Sequence, residues 1–404
     1  MRQTTKIKQI SRKRRKRVAL FLEDMGPYGE RALQAIAHFA RGRGTWRVDM
    51  ANFGEVTVDE IAAGKVDGVI FGQWEALPAL VDGINHSGVP AVDISGGDEV
   101  QSPPARVMPD DRGVGIMTAE HFLARGFEHF AYYGLPEEFN HRWEKARRDG
   151  FRDTLASRGF STDCFSGSAR GWNELHDRAH LGALSRWLIK LPKPCAVLAC
   201  IDAFAYEILR LSRESGIAVP EDLAVCGVDN RLWICMLANP TITSIPLDGA
   251  QAGARSAQVL DKLMAGRAVP REPILIAPLP IEQRESTDVY AFHDADVVEA
   301  LHYIRDHCNR PITVADILRT IPVSRRSLEM RFKSLTGQTL QAEIWRAHLD
   351  RAKRLLLETD HSIYDVAENS GFRTAATFNV MFRRTFDKTP TEFRRQVKLP
   401  MPQA

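Results

Sequence analysis

Two segments near the C-terminus have the same pattern of residues: TVADILRTIPVSRRSLEMRFKSLTG at 313–337 and SIYDVAENSGFRTAATFNVMFRRTFD at 362–387. In each segment, apolar residues first recur with the period of a helix, a proline or glycine then interrupts the pattern, and a second helical period follows. A short helix, a sharp turn and a second helix form the geometry that places one helix in the major groove of DNA. Because the unit occurs twice, we interpret it as a DNA-binding domain rather than as an ordinary helical bundle.

The residues at the helix starts support this interpretation. Thr313 with Asp316, and Ser362 with Asp365, have the spacing of a capping box, in which a hydroxyl accepts from the amides of the first turn. The second helix of each unit carries apolar residues that we expect to pack inward, leaving the opposite face free. These residues are Leu328, Phe332 and Leu335 in the first unit and Phe378, Phe382 and Phe386 in the second.

These segments resemble the signature of the AraC/XylS family of regulators, most clearly in SRRSLEMRFKSLTG (324–337) and GFRTAATFNVMFRRTFDKTPTEFR (371–394). The resemblance covers residues 294–397 and implies binding to double-stranded DNA at promoter half-sites. It also implies that the second recognition helix is one residue longer before its first core aromatic residue than the first helix. The groove-facing residues that it implies are Ser324, Arg325, Arg326, Glu329, Met330 and Lys333, and then Arg373, Thr374, Ala375, Ala376, Asn379 and Arg383.

The side chains on the two recognition helices differ in what they can read. Arg326 would pair with guanine, and Glu329 would accept a hydrogen bond from cytosine. Ala375 and Ala376 stand where longer polar residues are frequent in relatives; they can touch thymine methyl groups but cannot form hydrogen bonds. We therefore expect the second helix to act largely as a phosphate anchor.

The preceding region has a different pattern, in which apolar runs alternate with helical stretches. Because these runs lack strict alternation, they predict parallel strands that are covered on both faces, and hence a two-lobed α/β sensor domain. The runs are VALFLED (18–24), VDGVIFG (66–72), VPAVDIS (89–95), FAYYGLP (130–136), CAVLACID (195–202) and LAVCGVDN (223–230). The predicted organisation is a basic tail at 1–17, the sensor at 18–284, a linker at 285–294, the all-α DNA-binding domain at 295–397 and a tail at 398–404.

The sensor resembles the sugar-binding domain of the LacI/GalR family, which shares its fold with periplasmic sugar-binding proteins. The stretches YYGLPEE, RVMPDDRGVG, GVDN and LHYIRDH carry a resemblance over nearly the whole chain to regulators that combine this sensor with an AraC-like domain and control xylose operons. That resemblance implies a monosaccharide effector, xylose or another pentose. The implied ligand-binding residues are Asp93, Arg147, Trp172, Asp202 and Asp229.

Several of these residues have a second interpretation. An aspartate at a strand end, such as Asp202, also serves as the cap of the next helix, and Trp172 has a packing role as its alternative. The family has an asparagine before Asp202, where this sequence has Ile201, so the recognised hydroxyl pattern need not be that of xylose. A domain of this architecture that senses a different sugar, or that only dimerises, is the alternative function.

Composition and charge restrict the remaining possibilities. The net charge of +3 is small, but cations cluster in KIKQISRKRRKR at 6–17, which is either a solvated tail or a DNA-contacting arm. A second group comprises Arg325, Arg326, Arg331, Lys333, Arg383, Arg384, Arg394 and Arg395. The six cysteines lack a C-x-x-C pair and are expected in the core. No apolar run of membrane-spanning length and no secretory signal are recognised, which predicts a cytoplasmic protein.

Motifs of catalysis and cofactor binding are absent from the sequence, so we expect no enzyme, no cofactor and no metal site. Asp110 and Asp111 are expected to cap a helix rather than to act as acid and base. His176 and His180 are spaced as i and i+4 but lack the H-E-x-x-H pattern, and we expect them to be solvated. The expected partners are DNA, a sugar, a second copy of the chain and RNA polymerase.

Overall fold

The computed structural model describes residues 14–22, 26–72, 77–95, 105–136, 141–165 and 177–397. The chain divides into two compact units. The first comprises Met1–Phe122 and Glu128–Val289, and the second comprises Leu123–Phe127 and Tyr290–Ala404. In the described ranges, no helix has both the length and the apolar character needed to cross a bilayer.

The first unit begins with a four-stranded parallel sheet. Its strands β1 (Lys16–Phe21), β2 (Trp46–Met50), β3 (Gly68–Phe71) and β4 (Ala91–Asp93) lie in the order β2-β1-β3-β4. Helices α1 (Gly26–Arg43), α2 (Val58–Ala62) and α3 (Leu77–Ser87) connect them. Successive strand residues such as Val69, Ile70 and Phe71 are all buried, as parallel strands covered on both faces require.

A second parallel sheet has five strands, and a short two-stranded sheet accompanies it. Strands β6 (His129–Tyr133), β7 (Thr162–Phe165), β8 (Cys195–Ala199), β9 (Leu223–Val228) and β10 (Thr243–Ile245) lie in the order β10-β9-β8-β6-β7, while β5 (Val107–Pro109) pairs with β11 (Ile274–Ile276). The helices are α4 (Asp111–Leu123), α5 (Arg142–Ala156), α6 (Arg178–Lys190), α7 (Asp202–Glu214), α8 (Leu232–Leu237) and α9 (Gly249–Met264). The four-stranded sheet with its helices is the first lobe, and the five-stranded sheet with its helices is the second. Helix α9 returns to the first lobe, where a methyl group at Gly253 would lie 2.2 Å from the carbonyl oxygen of Ala32 on α1.

The α/β fold predicted for the sensor is confirmed, and each of the six predicted runs contains a strand. Strands β2, β5, β7, β10 and β11 were not predicted. They are three to five residues long, and β7 (sequence TDCF) has no fully buried position. Short strands at sheet edges lack the continuous apolar run on which the prediction depended.

The second unit is helical and is built in two halves. Its helices are α10 (Ala295–His307), α11 (Val314–Thr320), α12 (Arg325–Thr336), α13 (Leu340–Glu358), α14 (Ile363–Asn369), α15 (Ala375–Phe386) and α16 (Pro390–Val397). One core lies around Leu328 and Phe332, and the other lies around Phe378 and Phe382. The long helix α13 contributes to both cores and so connects the two halves.

The helix ends of this unit follow the predicted local signals. Both capping boxes are present, with Thr313 accepting from the amide of Asp316 and Ser362 accepting from that of Asp365. Gly371 has a φ of +76°, and a side chain there would come within 2.7 Å of the carbonyl oxygen of Arg310. Only glycine fits this turn without strain.

Parts of the predicted tail and linker belong to the folded first unit. Arg17 lies in β1, and its guanidinium forms ion pairs with Asp49 and Glu60. Residues 285–287 form a turn in which Ser286 and Thr287 are completely buried. Buried hydroxyl groups require hydrogen-bond partners. Ser286 and Thr287 therefore hold the segment that leaves the first unit against the rest of that unit.

Candidate nucleic-acid interface and ligand cleft

The first recognition helix, α12, is anchored by its buried face. Its N-cap residue Ser324 accepts from the amide of Ser327, and Leu328 and Phe332 are completely buried. The prediction that Leu335 packs inward is wrong, since 42% of this residue is exposed. It lies seven residues after Leu328, near the end of the helix, where the core no longer covers it.

The outer face of α12 carries the predicted groove-facing side chains. Nε of Arg325 donates to Oε1 of Glu329 at 2.9 Å, so these two side chains form an exposed i,i+4 ion pair. Arg326, Met330 and Lys333 are exposed beside them. Together with the start of α13 these residues surround a concave surface of about 780 Å³, lined by Val314, Arg325, Arg326, Glu329, Met330, Lys333, Thr339, Leu340 and Gln341.

The second recognition helix, α15, has the same register as the first. Its N-cap residue Thr374 precedes the buried Phe378 by four positions, just as Ser324 precedes Leu328. The expectation of one additional residue before the core aromatic is therefore wrong. The predicted residues Arg373, Thr374, Ala376, Asn379 and Arg383 are exposed. Ala375 instead packs against the core that contains Phe378 and Phe382.

Two cations in the C-terminal group have structural roles. Arg331 donates to Asp294 at 2.8 Å and to Asp296 at 2.6 Å, which connects α12 to the start of α10. Arg394 donates to the carbonyl oxygens of Leu356 and His361. These contacts hold helices together, so only part of the cationic group that we recognised in the sequence is available to phosphates. Residues 6–13 of the N-terminal basic run lie outside the described residues.

Arg147 of α5 occupies the centre of a cluster of polar and charged side chains in the first unit. Its side chain is 5% exposed, and its Nε donates to Oδ1 of Asp111 at 2.8 Å. Nη1 donates to the carbonyl oxygen of Cys200 at 2.6 Å, while Nη2 lies 3.8 Å from Oδ1 of Asp229. The ring centroid of Trp143 is 4.7 Å from the guanidinium carbon. One buried cation thus lies between two carboxylates, an arrangement that presents both donors and acceptors to a polar ligand.

Asp229 and Asn230 follow β9 in a strained conformation, with φ angles of 95° and 51°. The Asn230 amide donates to Oγ of Ser244 at 2.9 Å, and its side-chain oxygen accepts from Arg284 at 2.7 Å. These bonds hold the backbone in place. The side chain of Asp229 remains 25% exposed at the carboxyl edge of the sheet, where ligands bind in folds of this kind.

Asp202 is almost completely enclosed. Its Oδ2 accepts from the amide of Arg231 at 2.6 Å, and its Oδ1 accepts from Oγ of Ser244. Its interpretation as a helix cap is wrong, because the N-cap of α7 is Ile201. Burial, followed by the charge of Asp229, raises the pKa of Asp202 to about 7. Asp202 therefore connects the loop that follows Asp229 to strand β10.

Asp111 was not predicted as a site residue. Asp110 does cap α4, accepting from the amide of Gly113 at 2.9 Å, but Asp111 is turned toward Arg147. Burial raises the pKa of Asp111 to about 6, against the opposing effect of Arg147. The RVMPDDRGVG stretch contains the residue, but no local pattern in it indicates that the second aspartate faces the arginine.

Close helix packing produces this pairing. A methyl group at Gly115 of α4 would lie 2.1 Å from the carbonyl oxygen of Arg147, and one at Gly150 of α5 would lie 2.2 Å from that of Arg112. The two glycines let the helix backbones touch, which brings Asp111 and Arg147 within hydrogen-bond distance.

The other predicted ligand residues differ in their positions. Asp93 is completely buried at the end of β4, and its Oδ1 accepts from the amide and hydroxyl of Ser95. Tyr28 donates to the carbonyl oxygen of Ile94 at 2.9 Å, and its pKa is raised by burial and then by the charges of Asp111 and Asp93. Both lobes therefore contribute carboxylates to the surroundings of Tyr28. Trp172 lies outside the described residues.

The expectation of solvated histidines is wrong for His180. Its Nε2 is 3.1 Å from the hydroxyl of Tyr133, which also donates to Oε2 of Glu207 at 2.9 Å, and all three residues are buried. His176 lies outside the described residues. Within the ranges that the structure describes, no group of three or more potential ligands is placed to hold a metal ion.

Each of the two units matches a known protein family. Residues 119–287 match the periplasmic binding protein-like domain, and residues 317–396 match a helix-turn-helix domain. The chain is 30% identical over 386 residues to the xylose operon regulatory protein of Haemophilus influenzae, covering 94% of this chain and 98% of that protein. It is 29% identical over 390 residues to the protein of the same name from Escherichia coli K12, covering 94% and 97%.

A solved structure extends the comparison to three dimensions. The structure described as the xylose-binding transcription activator xylR aligns with 95% of this chain and 98% of its own, with 27% identity and a TM-score of 0.59. The relatives thus share both the α/β sensor and the helical domain in the same order. The chain belongs to the family of xylose operon regulatory proteins, and it is a transcription regulator whose AraC-type helix-turn-helix domain binds DNA.

Proposed function

We propose that the first unit binds a monosaccharide, xylose or another pentose, in the cleft around Arg147. The observation that carries this proposal is the burial of one guanidinium between Asp111 and Asp229, at the carboxyl ends of the strands. Carboxylates and a planar donor group form paired hydrogen bonds to adjacent hydroxyl groups. The names of relatives that match nearly the whole chain support xylose as the first sugar to test.

The half-buried Trp143 provides the aromatic surface in this proposal. Its ring already stacks on the guanidinium of Arg147, so it stands beside the polar groups. A sugar ring has an apolar C–H side that packs on such a face. Asp93, Asp202 and Trp172 remain proposed ligand residues. Because protein donors occupy both oxygens of Asp202, its proposed contribution is to orient Asp229.

The second unit would read promoter half-sites through α12 and α15. Arg326 makes no ion pair among the described residues and is free to approach guanine. Glu329 is paired with Arg325 and would have to leave that exposed pair, worth at most about 1 kcal/mol, to accept from cytosine. Ser324, Met330 and Lys333 on α12, and Arg373, Thr374, Ala376, Asn379 and Arg383 on α15, complete the proposed contact set.

A homodimer is part of the proposal, since two copies would present paired DNA-binding units to two half-sites. The described surface that supports it is α8. This helix follows directly after Asp229–Arg231, which we call the ligand loop. Four of its six side chains are large, apolar and 57–76% exposed: Leu232, Trp233, Met236 and Leu237. Such a patch on a surface helix is typical of contact between subunits.

Sugar binding would control DNA occupancy by selecting one arrangement of the two lobes. A ligand shifts such an equilibrium only if its affinity differs between the two states, and a coupling of roughly 1–3 kcal/mol is typical.

We propose activation of transcription with RNA polymerase as a further partner, action in the cytoplasm where the promoter is, and no enzymatic role or cofactor. The proposed division is a tail before β1, a sensor that begins at Lys16 and includes the turn at 285–287, and a DNA-binding domain at 295–397 followed by a tail at 398–404.

Calorimetric titration of the intact protein with xylose, arabinose, ribose and glucose tests the proposal. We expect heat with one pentose and no heat when Arg147→Met removes the central cation. Arg158→Met is the matched control, because Arg158 pairs with Glu120 on the exposed surface. Circular dichroism checks folding, and Asp111→Asn provides a second variant with little change in volume. Absence of heat with every sugar would instead favour a sensor domain that only dimerises.

A further inference from the structure

Val380 occupies the centre of the exposed face of α15. It lies two residues after Phe378 and two before Phe382, which are both completely buried. At 100° per residue, a position two steps from each core residue points to the opposite side of the helix. In agreement, Val380 is 67% exposed. Val380 therefore points away from the core more directly than the other residues of α15.

Met330 has the same place on α12. It lies between the buried Leu328 and Phe332 and is 66% exposed. The two helices share one register, since Ser324 and Thr374 are their N-caps. Val380 and Met330 are thus equivalent positions. Each places a large apolar side chain at the centre of the exposed face of its recognition helix.

The neighbours of these two residues differ. On α15, the exposed Ala376 lies one turn before Val380, and Arg383 and Arg384 lie one turn after it. On α12, the residue one turn before Met330 is the exposed Arg326. The second helix therefore carries an apolar strip bordered by cations, whereas the first carries a single apolar residue between cations.

The cations identify the occupant of this strip as duplex DNA. Exposed arginines bind phosphate oxygens, and a partner protein with an apolar surface would leave them without acceptors. Within the major groove, the group that an apolar side chain can contact is the 5-methyl group of thymine. We propose that Val380, assisted by Ala376, is a specificity-determining residue that selects thymine at the bases facing α15.

This inference rests on the proposed placement of α15 in the major groove. It changes the expected role of the helix, because selection would come from methyl contacts in place of hydrogen bonds. Burying one methyl group against Val380 is expected to strengthen binding about fourfold. An effect of that size at one or two thymines is enough to set a base preference.

Replacement of thymine by deoxyuridine tests the proposal, since it removes only the 5-methyl group. The probe is a duplex enriched by the intact protein from a random pool, and each thymine is replaced in turn. We expect about a fourfold loss of affinity at one or two positions for the unchanged protein. For Val380→Ala the same replacements should cost nothing, whereas for Met330→Ala the full cost at those positions should remain.

Three outcomes would overturn the proposal: no thymine shows a cost, the cost persists in Val380→Ala, or Val380→Ala keeps its base preference and loses only activation by RNA polymerase. Ala376→Asp separates this failure from a failure of groove placement. It puts a carboxylate on the same face near the start of the helix, where the helix tolerates it. If α15 enters the groove, this variant loses affinity whatever the thymine result; if it binds as before, the placement itself is wrong.

Discussion

Arg284 and Asn230 connect the ligand loop to the segment through which the chain leaves the first unit. Nη2 of Arg284 donates to Oδ1 of Asn230 at 2.7 Å, and Nη1 donates to the carbonyl oxygen of Ile242 at 2.8 Å. Asn230 directly follows Asp229, and both residues have positive φ angles. Two residues after Arg284, the hydroxyl of Ser286 donates to the carbonyl oxygen of Val225 on β9. The exit segment and the ligand loop are therefore bound to the same strand.

Arg284→Ala is expected to weaken sugar binding about tenfold, because the strained loop that carries Asp229 loses a charged hydrogen bond worth about 1.5–3 kcal/mol. Arg284→Lys should recover part of the affinity. The measurement is calorimetric titration with the sugar that binds the unchanged protein. Arg210→Ala, which removes a surface pair with Glu214, is the control and should bind normally. An unchanged affinity in Arg284→Ala would show that the loop holds its shape without this contact.

The stability of the first unit should fall as the pH rises from about 4 to about 7. The pKa of Asp202 is raised to about 7 and that of Asp111 to about 6, whereas an unfolded aspartate titrates near 4. The folded state then binds protons more tightly, so this contribution is complete below about pH 4 and is lost as the pH rises through these two values. Thermal melting of the first unit checks the slope.

Asp202→Asn should flatten this dependence, because the side chain no longer has to ionise inside the fold. Asp153→Asn is the control: its exposed carboxyl has a pKa lowered by Arg112, so its titration falls below this pH range. A slope that is the same in Asp202→Asn and in the unchanged protein would contradict the assignment of the titrating group.

Arg326→Ala is expected to lower DNA affinity by about one to two orders of magnitude and to relax the preference for guanine at one position. Arg325→Ala should have a smaller effect and leave the base preference intact, because Arg325 is already paired with Glu329. Fluorescence anisotropy with duplexes that differ at single base pairs, at two salt concentrations, measures both quantities. If Arg325→Ala rather than Arg326→Ala relaxes the preference, the assignment of the reading arginine is reversed.

Trp233→Asp should convert a dimer into monomers, since a charge in the centre of the α8 face opposes its burial against a second copy. Phe53→Asp is the matched control, because Phe53 is 76% exposed but lies far from α8 in sequence, on the short turn after β2. Sedimentation velocity distinguishes the two species. A dimer that survives Trp233→Asp, or an unchanged protein that is already monomeric, would exclude α8 as the interface.

Much of the helical unit could be predicted from local sequence. Its helix starts depend on capping boxes that span four residues, and its cores depend on apolar residues one turn apart. Leu335 and Ala375 were misassigned because they lie near helix ends, where the periodic pattern does not show whether a neighbouring helix covers the residue. Arg331 and Arg394 carried no sign of their partners, since Asp294 lies 37 residues before Arg331 and Leu356 lies 38 residues before Arg394.

The proposed ligand site shows the same division between local and distant contacts. Asp229 could be predicted because it directly follows a buried strand, and Arg147 because it lies at a position that the family resemblance implies. Asp111 and Arg284 were not, because their importance depends on partners 36 and 54 residues away. Such partners meet only when helices pack closely, as α4 and α5 do at Gly115 and Gly150.

The sequence by itself determined the two classes of unit, the runs that become buried strands, and the repeated pair of helices, because these follow from the period of apolar residues and from caps within one turn. Only the tertiary structure decided which charges are used within the fold and which remain for a ligand or for DNA. Arg331 and Arg326 look alike in the sequence, but one is paired with two aspartates and the other faces outward. Charge pairing acts over a few ångströms in space, so packing between distant segments determines the partner of each charge.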